Sequence, residues 1–211
     1  YADWGVDFLK EDSCNAFQSP NKAIPEYELM RDALNATGRL IFFSLCGWHS
    51  WYAPPLPALN YSGGMSLGNS ARVGTDGNNW AGVLRNLDIM APLSKYAVPG
   101  YWNDPDLLLS QDEAGRLRLT ELQTRAQFSL WSVLSAPLII SGSVTRMSDF
   151  TLETYTNRAV IAVNQMGIQG KRLVGPDIAI CGSTKGFGPN CTNVWGKQMN
   201  DHSWVLLLLN A

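Results

Sequence analysis

The sequence predicts an α/β fold: a parallel sheet of strand–helix–strand units that gives way to the start of an antiparallel β module. Three observations predict it. Apolar runs of strand length alternate with segments of helical period from Trp4 to about Gln165, and the runs read as apolar on both faces, as in a sheet covered on both sides. Polar residues recur at the end of each run that feeds the next loop. Beyond Gly170 the helical period is lost, Gly and Pro become frequent, and Ser203-Trp204-Val205-Leu206-Leu207 reads as strand.

Taken in order, Val6 to Leu9 is expected as a short buried strand running directly into Lys10-Glu11-Asp12. Alternation of side chains along a strand puts Lys10 and Asp12 on one face and Glu11 on the other. Pro25 to Leu34 has helical spacing, with Pro25 suited to the first turn and Gly38 to the stop. Leu40 to Leu45 is a strand-length apolar run followed by Cys46-Gly47-Trp48. A long Pro- and Gly-rich loop with aromatic residues runs from Trp51 to about Gly68, a length at which loops often carry function. After Arg72-Val73-Gly74-Thr75-Asp76, a helix is expected over Asn78 to Ala91, with Trp80, Val83, Leu84, Leu87 and Met90 on one face.

The next strand lies within Gly100 to Leu108, and its Asp104-Pro105-Asp106 step belongs at the strand end. Leu117 to Ser135 is the clearest helix, closed by Pro137. Leu138 to Ser141 reads as another buried strand, and Ser148 as the cap of a helix reaching about Val163. A boundary between two modules is expected between Gln165 and Gly170.

Composition excludes several classes. With 211 residues, 45% of them apolar and eight Trp, a substantial core is available. A net charge of −2 leaves no basic footprint for nucleic acid or an anionic membrane surface. No apolar run approaches the ~18–20 residues that span a bilayer. The chain opens close to one strand and stops inside another, so a fragment of a longer polypeptide is expected. Four cysteines are compatible with an oxidising compartment, and the spacing of Cys181 and Cys191 suits a local disulfide. Two His (His49, His202) and no C-x-x-C pair give no ligand set for zinc, and no cofactor is expected. Asn35, Asn60 and Asn190 open N-x-S/T sequons.

The polar groups at successive strand ends are Lys10 and Asp12, Cys46 and Trp48, Arg72 and Asp76, and Asp104 and Asp106. The set is rich in carboxylates and aromatics and lacks a catalytic His or a serine-nucleophile motif. Two carboxylates with Trp and polar donors around a pocket are what a glycosidase needs, one as nucleophile and one as proton donor. Each piece has a structural reading too. Lys10 and Asp12 suit a salt bridge, Asp76 suits a helix cap, and Trp48, Trp80 and Trp102 suit packing. Asp104 and Asp106 also suit a turn or a divalent-cation site.

Leu9-Lys10-Glu11-Asp12-Ser13-Cys14, Ser44-Leu45-Cys46-Gly47-Trp48, Arg72-Val73-Gly74-Thr75-Asp76 and Trp102-Asn103-Asp104-Pro105-Asp106 resemble, in order and spacing, the motifs of family 27 glycoside hydrolases. Ala136-Pro137-Leu138 and Val160-Ile161-Ala162-Val163-Asn164-Gln165 extend the resemblance to the α-galactosidases and α-N-acetylgalactosaminidases of melibiase type. It implies a (β/α)8 TIM barrel, of which residues 1–166 supply strands four to eight, followed in residues 167–211 by the beginning of an antiparallel β domain. It implies cleavage of terminal α-galactosides with retention, on an oligosaccharide, polysaccharide or glycolipid, in a secreted or vacuolar/lysosomal setting. On the same resemblance Asp12 is the nucleophile and Asp76 the acid/base, while Lys10, Cys46, Trp48, Arg72 and Asp106 line the sugar pocket. α-N-Acetylgalactosaminidase, β-L-arabinopyranosidase and a non-catalytic carbohydrate-binding relative are the alternatives. A metal hydrolase built on Asp104 and Asp106 has no His ligands to accompany them.

The chain departs from the family pattern at three places. Glu11 replaces an aromatic residue between Lys10 and Asp12, Gly47 stands where many members have Glu, and Met166 replaces an Asp after Asn164-Gln165. Glu11 is set aside as nucleophile because the strand turns it away from Lys10. Gly47 belongs to the region that meets the sugar 2-position in the family, which leaves galactose and N-acetylgalactosamine both open. The resemblance also places the first three strands, the residues that hold the galactose 4- and 6-hydroxyls, and a disulfide partner for Cys14 outside this chain, so activity of the chain by itself is not implied.

Overall fold

The computed structural model describes residues 1–14, 20–46, 63–179 and 191–210. A parallel four-stranded sheet is built from β1 (Phe8–Asp12), β2 (Phe42–Cys46), β3 (Ser70–Arg72) and β4 (Trp102–Asp104), adjacent in that order. Helix α1 (Pro20–Ala36) lies between β1 and β2 in the chain, and α2 (Trp80–Met90) between β3 and β4. A second parallel pair, β5 (Leu108–Leu109) and β6 (Ile140–Ser141), is separated in sequence by α3 (Glu121–Val133). Helices α4 (Asp149–Tyr155) and α5 (Arg158–Asn164) follow. β7 (Lys171–Val174), β8 (Thr192–Gln198) and β9 (Trp204–Asn210) then form an antiparallel sheet. The α/β class and the change to antiparallel structure after Gly170 are as the sequence predicts.

The sheet register explains where the chemistry falls. Phe8 pairs with Phe42, Lys10 with Ser44 and Asp12 with Cys46. Ser44 pairs with Ser70, and Ser70 and Arg72 pair with Trp102 and Asp104. Because side chains alternate, one sheet face carries Phe8 and Phe42, then Lys10, Ser44, Ser70 and Trp102, then Asp12, Cys46, Arg72 and Asp104. Phe42 stacks on Phe8 at 5.3 Å and on Trp102 at 6.0 Å between ring centroids. The opposite face presents Phe43, Leu45 and Ala71, all buried in the main core with Leu84, Leu87 and Met90 of α2. The strands are therefore not apolar on both faces: one face grades from aromatic to ionic toward its carboxyl ends.

Several boundaries differ from expectation. The first strand is Phe8–Asp12 rather than Val6–Leu9, because it takes the register of β2, and it is half-exposed rather than buried. Helix α1 begins at Pro20, which leaves Pro25 inside it instead of in its first turn. Helix α2 is capped by Asn79, whose side chain accepts from the Gly82 N–H, so Asp76 is not its cap. Helix α3 starts at Glu121 behind a Thr120–Gln123 capping box, four residues later than Leu117, and ends at Val133, with Ser135 at φ 50° turning the chain before Pro137. β6 is two residues long and partly exposed rather than a buried strand; among the described residues it is paired on one side only. Ser148 does cap a helix, but that helix stops at Tyr155, and Asn157 caps a separate one by accepting from the Val160 N–H.

Cys14 and Cys46 are free thiols, and Cys191 is disulfide-bonded; Cys181 lies outside the described residues. Trp48, His49, most of the aromatic loop after it, Asn60 and Asn190 lie outside them too. No helix among the described residues is long and apolar enough to cross a membrane.

Candidate active site

The carboxyl ends of β1 to β4 bring six of the seven expected site residues together: Lys10, Asp12, Cys46, Arg72, Asp76 and Asp106. Trp48 lies outside the described residues. In parallel α/β folds this edge is where strand polarity and loop freedom meet, so functional side chains collect there.

Arg72 is the centre of the cluster. It is buried at the end of β3, and its guanidinium reaches Asp106 Oδ1 at 3.0 Å through Nη1 and Asp76 Oδ1 at 3.2 Å through Nη2. Nη2 also donates to the Gly74 carbonyl at 3.1 Å, and Nη1 lies 3.9 Å from Cys46 Sγ. Burial works against the guanidinium charge, but the carboxylates of Asp106 and Asp104 outweigh it and hold the pKa above its ordinary value. A planar fork suits this task, since a single cation orients two carboxylates from different loops.

Asp106 sits at φ 91°, unusual for a residue with a Cβ, and is held on every side. Its N–H donates to Asp104 Oδ1 at 2.8 Å, and its carbonyl accepts from the Trp131 indole at 2.7 Å. Its Oδ2 accepts from the Gly77 N–H at 2.7 Å. Such strain persists only where the surroundings over-determine it. Asp104 is deeply buried, and that burial raises its pKa, opposed by the bond from the Asp106 N–H and by the charges of Arg72 and Lys10. Both carboxylates are thus committed to Arg72 or to backbone. Among the described residues no group of three or more His, Cys, Asp or Glu side chains is arranged to hold a metal ion.

Lys10 and Asp12 share the site face, and Asp12 lies opposite Cys46 in the register. Burial pushes the Cys46 thiol up to about 11, against the charges of Lys10 and Arg72 and with help from a hydrogen bond to Asp12. The thiol is therefore held neutral, opposite Asp12 in the strand register. Glu11 points the other way, into a groove against α1 lined by Glu26, Leu29, Met30 and Ala33. Burial and the nearby Glu26 raise its pKa. Asp76 keeps about half of its side chain exposed, with Arg72 as its ion-pair partner.

Two residues of this site were given no place in the sugar pocket from sequence. Asp104 was named only as a strand-end carboxylate of the D-x-D step, although its alternation with Trp102 puts it on the site face. Asn86 is fully buried on α2 and donates to the carbonyls of Thr75 and Pro105. The signal was an Asn three residues after Val83 and four before Met90, on the apolar side of the helix.

A family model described as alpha galactosidase A, of melibiase type, matches residues 1–166. The chain belongs to this family. Among its members, Alpha-galactosidase 3 of Arabidopsis thaliana is 39% identical over 214 residues, covering 100% of this chain and 44% of that protein. Human alpha-N-acetylgalactosaminidase is 39% identical over 183 residues, covering 82% of this chain and 42% of that protein. A solved structure of a putative alpha-galactosidase/melibiase from Bacteroides fragilis superposes with a TM-score of 0.81 at 35% identity, over 99% of this chain and 44% of that one. The family inferred from the strand-end motifs is thus the family found, and the chain spans less than half the length of these relatives.

Proposed function

We propose that this protein is a retaining α-galactosidase, with Asp12 as nucleophile and Asp76 as acid/base. The observation that carries the reading is the Arg72 fork. It orients Asp76 and Asp106 together at the carboxyl ends of adjacent parallel strands, beside the Asp12–Cys46 pair. In the first step the Asp12 carboxylate attacks the anomeric carbon while Asp76, protonated, delivers its proton to the departing glycosidic oxygen. In the second, ionised Asp76 takes a proton from water as that water displaces Asp12 from the sugar. Lys10, Cys46, Trp48, Arg72 and Asp106 line the sugar pocket. Cys46 stays a neutral thiol opposite Asp12, and Arg72 remains cationic throughout.

The wider architecture belongs to the same proposal. A parallel sheet in sequential strand order, β1 to β4, supports residues 1–166 as strands four to eight of a (β/α)8 barrel, with 167–211 opening a β domain. The Cys191 disulfide and the exposed sequon residue Asn35 support a disulfide-bonded glycoprotein of the secretory or vacuolar/lysosomal route.

In the full-length protein, Asp12→Asn should abolish turnover of a nitrophenyl α-galactoside; activity like that of the unmutated protein would sink the assignment. The similarity to human alpha-N-acetylgalactosaminidase and the Gly47 departure favour one second reading, an α-N-acetylgalactosaminidase, and the matching N-acetylgalactosaminide separates the two. Hydrolysis of neither points to β-L-arabinopyranosides or to binding without catalysis, and loss of activity with chelator points to a metal.

A further inference from the structure

We infer that Asn86 is a positioning residue that fixes the distance between the Asp76 and Asp106 loops, an inference resting on the acid/base role proposed for Asp76. Asn86 lies midway along α2 at 0% exposure, in a helix whose other inward residues, Val83, Leu84, Leu87 and Met90, are all apolar. Packing alone would be served by a Leu. A buried amide is a cost unless its polar atoms are used, and Oδ1 has no hydrogen-bond partner among the described residues. Both hydrogens are used. Nδ2 donates to the Thr75 carbonyl at 3.0 Å and to the Pro105 carbonyl at 2.9 Å. These are the carbonyls immediately before Asp76 and before Asp106, on loops that follow different strands.

The rest of the loop geometry agrees with this role. A Cβ on Gly74 would lie 2.4 Å from Asn86 Oδ1 and 3.0 Å from Ile89 Cδ1, so the bare Cα of Gly74 makes room for the amide. Arg85, the residue before Asn86 on α2, donates to the Asp76 carbonyl at 3.2 Å. A Cβ on Gly82 would come within 3.0 Å of Gly77 Cα, a close approach of the first turn of α2 to the same loop. The backbone of Asp76 is thus held from α2 on both sides, while its carboxyl is left partly open and touched by Arg72. That is what a proton donor needs: a fixed origin with an accessible acid.

The test uses leaving-group dependence in the full-length protein. An alkyl α-galactoside needs its oxygen protonated as it departs, whereas a 2,4-dinitrophenyl α-galactoside does not. Asn86→Leu should lower kcat/KM about a hundredfold more on the alkyl substrate than on the dinitrophenyl one, within the usual range for general-acid catalysis, while any loss common to both reports the Asp106 loop. Equal losses on both substrates would mean that Asn86 is merely structural, and would overturn the inference while leaving the glycosidase reading intact. Should Asn86→Leu show no cooperative melting transition, Gly74→Ala displaces the same amide while leaving Asn86 in place. It must then show the same selectivity, and an unchanged ratio between the two substrates overturns the inference. If the unmutated protein hydrolyses neither galactoside, the parent reading falls and this role with it.

Discussion

Lys197 offers a prediction whose magnitude follows from the structure. It lies on β8 with 1% exposure, and its Nζ donates to Ser135 Oγ and, at 2.6 Å, to the Val163 carbonyl. These groups sit at the carboxyl ends of α3 and α5, where a cation is favoured by the helix dipoles. Burial nevertheless pulls the Lys197 pKa down from 10.5 to about 8. Between those two values the unfolded chain binds a proton that the folded chain does not, so stability rises with pH through that window and is lower below it. At ~1.4 kcal/mol per pKa unit, the gain between pH 7 and pH 9 is on the order of 1.4 kcal/mol. Lys197→Met removes this titration while keeping an unbranched stem of similar volume. Urea unfolding followed by tryptophan fluorescence at pH 7, 8 and 9 should show the full-length wild type gaining on the variant by about that amount. Parallel stabilities across the three pH values would refute the argument, because they would mean that Lys197 titrates alike in both states.

Two further substitutions probe the site and its back face. Arg72→Lys keeps the charge but loses the fork that reaches Asp76 and Asp106 together, so kcat/KM on nitrophenyl α-galactoside should fall about a hundredfold, with the melting temperature as a control for folding. Glu11 has a folded pKa raised by burial and by Glu26, so the folded state holds its proton above the unfolded value of 4.5 and loses relative stability as pH rises. Glu11→Gln should therefore raise the melting temperature at pH 7 more than at pH 4 and leave turnover in place; loss of turnover would make Glu11 part of the active site.

Much of the site was legible because pleat periodicity is a local rule. Lys10 and Asp12 had to share a face, and Glu11 had to leave it, whatever the tertiary structure. The ends of elements were less legible because they are set by partners elsewhere. β1 starts at Phe8 because Phe42 is there to pair with it, and β6 is short and half-exposed although Ile139 and Ile140 read as core. The single helix expected from Ser148 to Val163 divides because Asn157 satisfies an N-terminal amide of its own, an alternative that helical period does not register. Asn86 was passed over for a related reason. A polar residue in a helix is ordinarily read as surface, and only the loops of two other strands give it a purpose.

Helix α2 connects these observations. Its Arg85 and Asn86 hold the loops of Asp76 and Asp106, while Asp88, two residues on, accepts the N–H groups of Ile178 and Ala179 and pairs with Arg172 at 2.8 Å. Lys197 ties the same antiparallel sheet to the ends of α3 and α5, and Trp131 of α3 fixes the Asp106 carbonyl. Asp106 therefore receives support from two helices, each anchored on its far side by the β segment that follows Gly170. A site that keeps Asp106 at φ 91° needs such bracing, since a positive-φ backbone carrying a side chain relaxes when its surroundings give way. On the proposed function, the described residues beyond Gly170 add no group to the Arg72 cluster, and act on it by holding the helices that carry it.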